Sequence, residues 1–208
     1  MWWIPLWAAR FDESILSPEE RERAGRFRFE EHARRFRASH AALRLVLQEY
    51  AGQPADHIRF VTNPFGKPSV VGATEVWFNL SHADDLAVVA VSREAEIGVD
   101  VEAIQPNFNS SEMTRCFTVA ELAQMREGSA SVFFKFWTRK EAVLKAEGTG
   151  LSIGLTNIDV SRAPNELVKV ETDSGRLWRV NDLEAADGYA GALAGPPGEW
   201  LVRYRHLL

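Results

Sequence analysis

Cysteine is almost absent from this chain of 208 residues, which contains only Cys116. A single cysteine excludes an internal disulfide framework and any metal site built from several thiolates. It fits a protein that works in a reducing compartment, and we therefore expect a cytoplasmic location.

The chain also lacks long apolar runs and an excess of positive charge. No segment approaches the roughly 20 apolar residues that a membrane-spanning helix needs. The apolar start, Met1 to Trp7, is short and interrupted by Pro5, which predicts a first strand and no signal peptide. A net charge of −5 and a pI of about 5.6 argue against a nucleic-acid-binding protein. No membrane or nucleic-acid partner is therefore expected.

The pattern of elements predicts an α+β fold. An arginine-rich helical region from Pro18 to about Tyr50 is followed by short strands, with the polar segment 105–111 as the boundary between two halves, 1–104 and 105–208. Each half is predicted to contain a helical region, strands and a closing hairpin. The two hairpins would pair 86–92 with 97–101 and 189–194 with 200–204. The two halves thus form a weak repeat of architecture without a repeat of residues, and pockets tend to form between such units.

The second half contains a helix whose apolar stripe includes a charge. Phe133, Trp137 and Leu144 recur at helical spacing, and Gly148 ends the helix. Glu141 continues the stripe one turn after Trp137, and Lys145 follows one turn later. The two charges could form an ordinary surface ion pair. A carboxylate beside an apolar stripe is also typical of a site that binds a metal.

A second acidic site lies upstream in a predicted strand. Val99 and Val101 alternate with Asp100 and Glu102, so the two carboxylates point to one face. They could belong to a solvent-facing acidic edge strand. Alternatively, a hard divalent cation offsets the repulsion between them, and Glu141 would complete a three-carboxylate site. Both Mg²⁺ and Mn²⁺ accept such ligands.

Four short motifs in this order resemble the 4′-phosphopantetheinyl transferases of the larger, surfactin-type class. They are Gly66-Lys67-Pro68, Phe78-Asn79-Leu80-Ser81-His82, Gly98-Val99-Asp100-Val101-Glu102, and Trp137-Thr138-Arg139-Lys140-Glu141-Ala142 with Lys145. Each motif alone is weak, but their order and spacing over most of the chain are specific. The resemblance implies two similar α+β halves related by a pseudo-twofold axis, with the site between them, in a monomer. It also implies Mg²⁺-dependent transfer of the phosphopantetheine arm of coenzyme A to a serine of an apo carrier protein. Adenosine 3′,5′-bisphosphate would be released.

The resemblance also implies roles for individual residues. Asp100, Glu102 and Glu141 would bind the metal, while Asp100, Glu141 and Lys145 would carry the catalysis. Coenzyme A would be bound by Arg23, Lys67, Ser81, His82 and Lys145. Taken alone, most arginines of the first helical region belong to a solvated face, Lys67 could be a solubilising turn residue, and Ser81 and His82 could be a hydrogen-bonded turn.

Two other functions remain open at this point. The chain could be a non-catalytic module that binds coenzyme A or a carrier protein. It could also be another Mg²⁺-dependent phosphoryl-transfer enzyme, although it has no Gly-x-x-x-x-Gly-Lys phosphate loop. The kind of carrier protein, whether acyl, peptidyl or aryl, has no readable motif.

Overall fold

The computed structural model describes residues 1–8, 11–125, 129–150, 154–170 and 175–207. The described helices are α1 (Pro18–Gly25), α2 (Glu30–Ala51), α3 (Val119–Met125) and α4 (Ala130–Glu147). The described strands are β1 (Trp2–Pro5), β2 (Phe60–Thr62), β3 (Pro68–Val70), β4 (Trp77–Ala83), β5 (Leu86–Ser92), β6 (Gly98–Ala103), β7 (Val168–Lys169), β8 (Leu177–Asp182), β9 (Tyr189–Gly195) and β10 (Arg205–His206). The predicted α+β class and the predicted first strand are confirmed.

The strands form two four-stranded sheets and a separate β2–β3 hairpin. The first sheet has the order β10-β1-β5-β4 and the second the order β6-β9-β8-β7. Only the β1–β10 pairing is parallel among the described pairings; the others are antiparallel. The edge strands β4 and β6 face each other, so the join between the two sheets lies between them.

Side chains make the join between β4 and β6. Asn79 Oδ1 accepts a hydrogen bond from the Val99 amide at 2.8 Å, and Ser81 Oγ accepts one from the Val101 amide at 3.3 Å. Backbone amides at an unpaired sheet edge need partners when they are buried. The two β4 side chains provide them, and in doing so they fix the register of β6 against β4.

Both predicted closing hairpins are wrong. The two edges of β5 are occupied by β1 and β4, so β6 pairs with β9 of the second sheet instead. In the C-terminal segment, residues 200–204 form no strand, and Arg205–His206 pair with β1. The Trp200 ring packs so closely on Gly195 that a Cβ there would lie 2.8 Å from it, and its Nε1 donates to the Pro196 carbonyl at 3.0 Å. This packing turns the chain away from β9.

The arginine-rich region is two helices and not one. A capping box begins α1: the Ser17 side chain accepts from the Glu20 amide, and the Glu20 carboxylate accepts from the Ser17 amide. The chain leaves the helical path after Gly25 and resumes it at Glu30, and α2 ends at Gly52 in the left-handed conformation. The short α1 is thereby folded back against α2, with its buried Glu20 inside the junction.

Helix α4 is buried on most of its circumference, against the second sheet. The predicted stripe residues Phe133, Val143 and Leu144 are in the core, as expected. Arg139 and Lys140, the two charged residues before Glu141, are also buried. Arg139 forms a two-pronged pair with Asp182, and Lys140 lies 2.8 Å from the fully buried Glu121. Buried charges of this kind require such partners.

Candidate active site

A glycine brings α4 unusually close to β6. A Cβ on Gly98 would lie 2.1 Å from the Ala142 carbonyl oxygen and 2.3 Å from the Ala146 amide nitrogen. Only a residue without a side chain permits this approach of helix to strand. As a result, the stretch of α4 that carries Glu141 and Lys145 lies directly over the β6 face that carries Asp100.

Asp100 is the centre of the site, and its two carboxylate oxygens differ. Oδ1 accepts hydrogen bonds from Lys145 Nζ at 2.6 Å and from Ser81 Oγ at 2.9 Å. Oδ2 is buried and has no hydrogen-bond partner. Burial raises the pKa of Asp100, against the opposing effect of the nearby Lys145 charge. A buried carboxylate oxygen without a donor is a position where a cation binds favourably.

The other two predicted carboxylates are electrostatically linked to Asp100. Burial raises the pKa of Glu102 to about 7, and the negative charge of Asp100 adds to the shift, while a hydrogen bond from the Trp137 side chain opposes it. Burial also raises the pKa of Glu141, again with a contribution from Asp100. The three acids thus share one desolvated region, in which the charge of Asp100 raises the pKa values of Glu102 and Glu141 and the Lys145 cation offsets only part of the shifts.

The donor set suits a hard divalent cation. Among the described residues, no three Asp, Glu, His or Cys side chains already converge as a complete metal centre. Mg²⁺ does not require one, because it commonly takes one or two protein carboxylates together with water and substrate phosphate oxygens. The unpartnered Asp100 Oδ2 meets that requirement.

Ser81 and His82 lie on β4 and not in the connecting turn that sequence predicts. The β4–β5 hairpin itself is confirmed, with Asp84 in its turn at a φ of 45°. Because side chains alternate along a strand, Ser81 is buried against Asp100 and Lys145, whereas His82 is exposed on the opposite face. Although the side chain is exposed overall, the pKa of His82 is lowered. Desolvation by the surrounding protein is the main cause, and the charges of His40, Lys145 and Arg35 add to it.

Lys67 holds the turn before β3 against the end of α4. Its ammonium contacts the Glu96 carboxylate and donates to the carbonyl oxygens of Ala146 at 2.9 Å and Ile97 at 3.3 Å. Asn63 Nδ2 reinforces the contact by donating to the Gly148 carbonyl at 2.7 Å. Burial lowers the pKa of Lys67. The Lys67 ammonium therefore links the turn before β3 to the end of α4. Its contact with coenzyme A stays a prediction.

Two neighbouring pockets lead to this centre. The smaller, of about 220 Å³, is lined by Phe65, Gly66, Lys67, Pro68, Asn79, Glu141, Leu144, Lys145, Gly148 and Gly150. The larger, of about 740 Å³, lies beside α1 and α2 and is lined partly by Arg23, His40, Arg44 and Arg59. Both pockets share Gly66, Pro68 and Asn79. A single extended ligand can therefore occupy both, with its charged groups near basic side chains at one end and Lys145 at the other.

Arg23 lies in the larger pocket, with its guanidinium 5.1 Å from the centre of the Phe36 ring. His40, Arg59 and Asn79 also line the larger pocket and were not predicted from the sequence as site residues. The spacing of residues in the sequence could have identified two of these three residues. Asn79 shares a strand face with Ser81 two residues later, and His40 lies four residues from both Phe36 and Arg44 on one helix face.

The α+β fold, with grouped acids and a lysine beside two pockets, is typical of an enzyme that acts on a phosphate-linked substrate. Two family models match the chain: the 4′-phosphopantetheinyl transferase superfamily over residues 96–194, and the 4′-phosphopantetheinyl transferase N-terminal model over residues 3–94.

Individual relatives agree with the family models. The chain is 33% identical over 220 residues to the 4′-phosphopantetheinyl transferase HetI of Nostoc sp., covering 98% of this chain and 92% of the relative. It is 29% identical to Sfp of Bacillus subtilis, covering 94% and 91%, and 37% identical to psf-1 of Bacillus pumilus, covering 82% and 71%. The chain belongs to the 4′-phosphopantetheinyl transferase superfamily and is an enzyme of the Sfp-like type. Within the described ranges, no helix has both the length and the apolar character needed to cross a bilayer.

Proposed function

We propose that the enzyme transfers the 4′-phosphopantetheine arm of coenzyme A to a serine hydroxyl of an apo carrier protein. The serine oxygen forms a bond to the phosphorus that carries the pantetheine arm. The bond from that phosphorus to the bridging pyrophosphate oxygen breaks, and adenosine 3′,5′-bisphosphate leaves with the electron pair. The hydroxyl proton passes to a base at the site.

The observation that carries this proposal is the environment of Asp100. Its Oδ1 is paired with Lys145 and Ser81, while its buried Oδ2 has no donor. A site that only bound coenzyme A would have no use for a buried acid with one free oxygen, beside two other acids of raised pKa. An enzyme that must offset the negative charge of a pyrophosphate through a metal does have that use.

We propose that coenzyme A lies across the two connected pockets in one orientation. We place its nucleotide half in the larger pocket, with Arg23 and His82 as candidate phosphate contacts, and its pyrophosphate in the smaller pocket near Lys67 and Lys145. Glu141 and Lys145 line the smaller pocket, so the reacting phosphate lies beside the carboxylate centre. This arrangement leaves the pantetheine arm near α4.

The chemistry is mostly positioning and charge neutralisation. Mg²⁺, or Mn²⁺ in its place, held by Asp100, Glu102 and Glu141, would supply charge stabilisation to the pyrophosphate oxygens. Lys145 pairs with Oδ1, which opposes the rise in the Asp100 pKa that burial causes, and it places a positive charge at the pyrophosphate. Ser81 fixes Asp100 through its hydroxyl. Glu141, which lines the smaller pocket and whose pKa is raised by burial, is our candidate for the base that receives the serine proton.

The wider architecture is part of the same proposal. We propose two halves, 1–104 and 105–208, related by a pseudo-twofold axis with the site between them, in a cytoplasmic monomer. The join between β4 and β6 supports a site between two units, because Ser81 comes from one sheet and Asp100 from the other. The carrier protein would present its serine to the open side of the smaller pocket.

The test is incubation with coenzyme A, Mg²⁺ and an apo carrier protein, followed by intact-protein mass measurement. The expected result is a mass gain of one phosphopantetheine and release of one adenosine 3′,5′-bisphosphate per carrier. A carrier whose acceptor serine is replaced by alanine is the control and should gain nothing. Binding of coenzyme A without mass gain would instead indicate a binding module. Release of phosphate from a nucleotide without carrier modification would indicate a different phosphoryl-transfer enzyme.

A further inference from the structure

The hairpin formed by β2 and β3 is a wall of both pockets, although it belongs to neither four-stranded sheet. Phe60 and Thr62 on β2 line the larger pocket, while Gly66 and Pro68 line both pockets. The last two belong to the hairpin tip, which we define as residues 63–68. A two-stranded hairpin is marginally stable alone and takes its position from the groups that it packs against. The shape of both pockets therefore depends on what holds the hairpin tip.

Asn63 organises the hairpin tip. Its Oδ1 accepts hydrogen bonds from the Phe65 and Lys67 amides, both at 2.9 Å, and its own amide donates to the Lys67 carbonyl at 3.0 Å. Asparagine commonly stabilises a tight turn by accepting from the backbone amides that follow it. Because Oδ1 already faces two amide donors, the other end of the side chain is the NH₂ group, which can only donate.

This NH₂ group latches the hairpin tip to the end of α4. Asn63 Nδ2 donates to the Gly148 carbonyl at 2.7 Å, and Lys67 Nζ donates to the Ala146 carbonyl at 2.9 Å. The last carbonyls of a helix have no partner within the helix, so both bonds satisfy otherwise open acceptors. A Cβ at Gly148 would lie 2.9 Å from Lys67 Cδ and 3.3 Å from Asn63 Nδ2. The hairpin tip and the helix end are therefore in direct contact.

The helix is the fixed partner in this contact. The backbone of α4 lies directly on β6 at Gly98, and Lys145 is held by its bond to Asp100 Oδ1. Loss of the latch should consequently displace the hairpin tip and leave Lys145 and the carboxylates in place. Asn63 is not among the described residues that line the two pockets, so its effect on a ligand there must be indirect.

We propose that Asn63 is a positioning residue for coenzyme A. By latching the hairpin tip to the Gly148 carbonyl, it fixes the wall of both pockets against which the ligand lies. The inference rests on the proposed function, which places coenzyme A across these pockets. A small displacement of a positioning element costs binding or rate even when no contacting group is removed. The cost falls on KM for coenzyme A, because the groups around Asp100 keep their places.

The test is Asn63→Ser, which keeps an oxygen for the turn amides, adds no charge and is too short to reach Gly148. KM for coenzyme A should rise about fivefold, as for the loss of one neutral hydrogen bond, while kcat changes less than about twofold. Ser69→Ala removes a hydrogen bond to the Val61 carbonyl within the same hairpin and is the matched control. A residue that only stabilised the turn would lower thermal stability without changing KM, so an unchanged KM in Asn63→Ser would overturn the proposal.

Asn63→Asp is the second variant, and it decides the outcome if Asn63→Ser does not fold. It keeps the size of the side chain and the acceptor for the turn, and it replaces only the donor. Two oxygens without a hydrogen between them repel at the 2.7 Å that separates Asn63 Nδ2 from the Gly148 carbonyl, so the tip should again move away. Salt screens the added charge but does not restore the latch. The rise in KM should therefore persist at high salt; a rise that disappears there would contradict the latch.

Acetylation of lysines reports on the latch in the absence of any ligand. The Lys67 side chain is only 13% exposed, and a displaced tip should make it react about fivefold faster in Asn63→Ser than in wild type. The exposed Lys169 serves as the internal reference when the peptides are measured by mass. Equal reactivity of Lys67 in the two proteins would show that Asn63 does not hold the tip.

Calorimetric titration separates this proposal from the proposed function. If wild type modifies no carrier protein, the transferase assignment fails, but the dissociation constants of coenzyme A for wild type and Asn63→Ser still test the latch. The variant should bind coenzyme A about fivefold more weakly. Equal dissociation constants in an active transferase would leave the proposed function intact and overturn the role of Asn63.

Discussion

Lys145 bonds to Asp100 across the gap between α4 and β6, with Nζ 2.6 Å from Oδ1. The sequence offered a different partner, Glu141, one turn earlier on the same helix. Among the described ion pairs, Lys145 is joined to Asp100 and not to Glu141. Lys145 therefore links α4 to β6 within the site. Because it pairs with Asp100, the Glu141 carboxylate remains able to bind another cation.

Asp100→Asn should reduce transfer by more than about a hundredfold, because the neutral amide cannot serve as a metal ligand in the same way. The fold should be retained, since Lys145 is partly exposed and can be hydrated. Carrier modification measured by mass, at several Mg²⁺ concentrations, checks this. Glu75→Gln, a change at an exposed acid, is the control and should behave as wild type. Transfer by Asp100→Asn at the wild-type rate would remove Asp100 from the mechanism.

Lys145→Met should change metal binding and transfer in opposite directions. The ammonium occupies Asp100 Oδ1 and repels an incoming cation, so its removal should tighten Mg²⁺ binding by about threefold to tenfold in the absence of coenzyme A. The rate should nevertheless fall by more than about tenfold, since a charge beside the pyrophosphate is lost. Calorimetry and carrier modification measure the two effects. Lys169→Met, at an exposed lysine, is the control; weaker metal binding in Lys145→Met would contradict the assignment.

Glu102→Gln should flatten the pH dependence of stability in metal-free protein. The pKa of Glu102 is raised from 4.5 to about 7, so between those pH values the folded state holds a proton that the unfolded state has lost. The free energy of unfolding therefore falls as pH rises through this window. The lowered pKa of His82 acts in the opposite direction there, so the difference between wild type and variant is the quantity to measure. Urea unfolding at pH 5, 6, 7 and 8 in chelator measures the free energy of unfolding of both proteins. The difference, wild type minus Glu102→Gln, should be largest at pH 5 and should fall as the pH rises. A constant difference across that range would be inconsistent with the raised pKa.

Gly98→Ala should disrupt the site and destabilise the protein by about 2 kcal/mol or more, because the new methyl group would overlap backbone atoms of α4 that have no rotamer to change. Gly25→Ala is the control, since a Cβ there meets no atom within 4 Å. Denaturant unfolding and Mg²⁺ titration check both variants. Normal stability and metal affinity in Gly98→Ala would show that α4 can move away from β6 without loss.

Lys67→Met should weaken coenzyme A binding by about tenfold if its cation reaches a phosphate. The protein contacts of Lys67 complicate this single variant, so Glu96→Gln is the matched change. It releases the lysine from its carboxylate partner and should leave coenzyme A affinity equal to or higher than that of wild type. Calorimetric titration gives both dissociation constants. An unchanged constant in Lys67→Met would refute its contact with coenzyme A.

The sequence predicted the local features well because they depend on local rules. The helix start at Pro18, the end of α4 at Gly148 and the alternation in β6 all follow from short-range geometry. The strand pairings did not follow, because β5 is already paired on both edges before β6 begins. Sequence adjacency predicts a hairpin only when an edge is free.

The sequence suggested residues for the candidate site, but it did not indicate which side chains pair with them. Asp100 and Glu102 on one strand face suggested a metal site without any tertiary information. The burial of Arg139 and Lys140 could not be predicted, because it depends on Asp182 and Glu121, which are distant in sequence. His40 was missed for the same reason: its orientation depends on Glu20, which lies on a separate helix.

The amides of Val99 and Val101 are taken by side chains of Asn79 and Ser81 and not by another strand. An incoming β-strand from a second molecule finds no donor at these two positions of β6. The same hydroxyl that donates to Asp100 thus also protects a sheet edge against aggregation. Replacing Ser81 would consequently expose the protein to intermolecular strand pairing as well as weakening its chemistry.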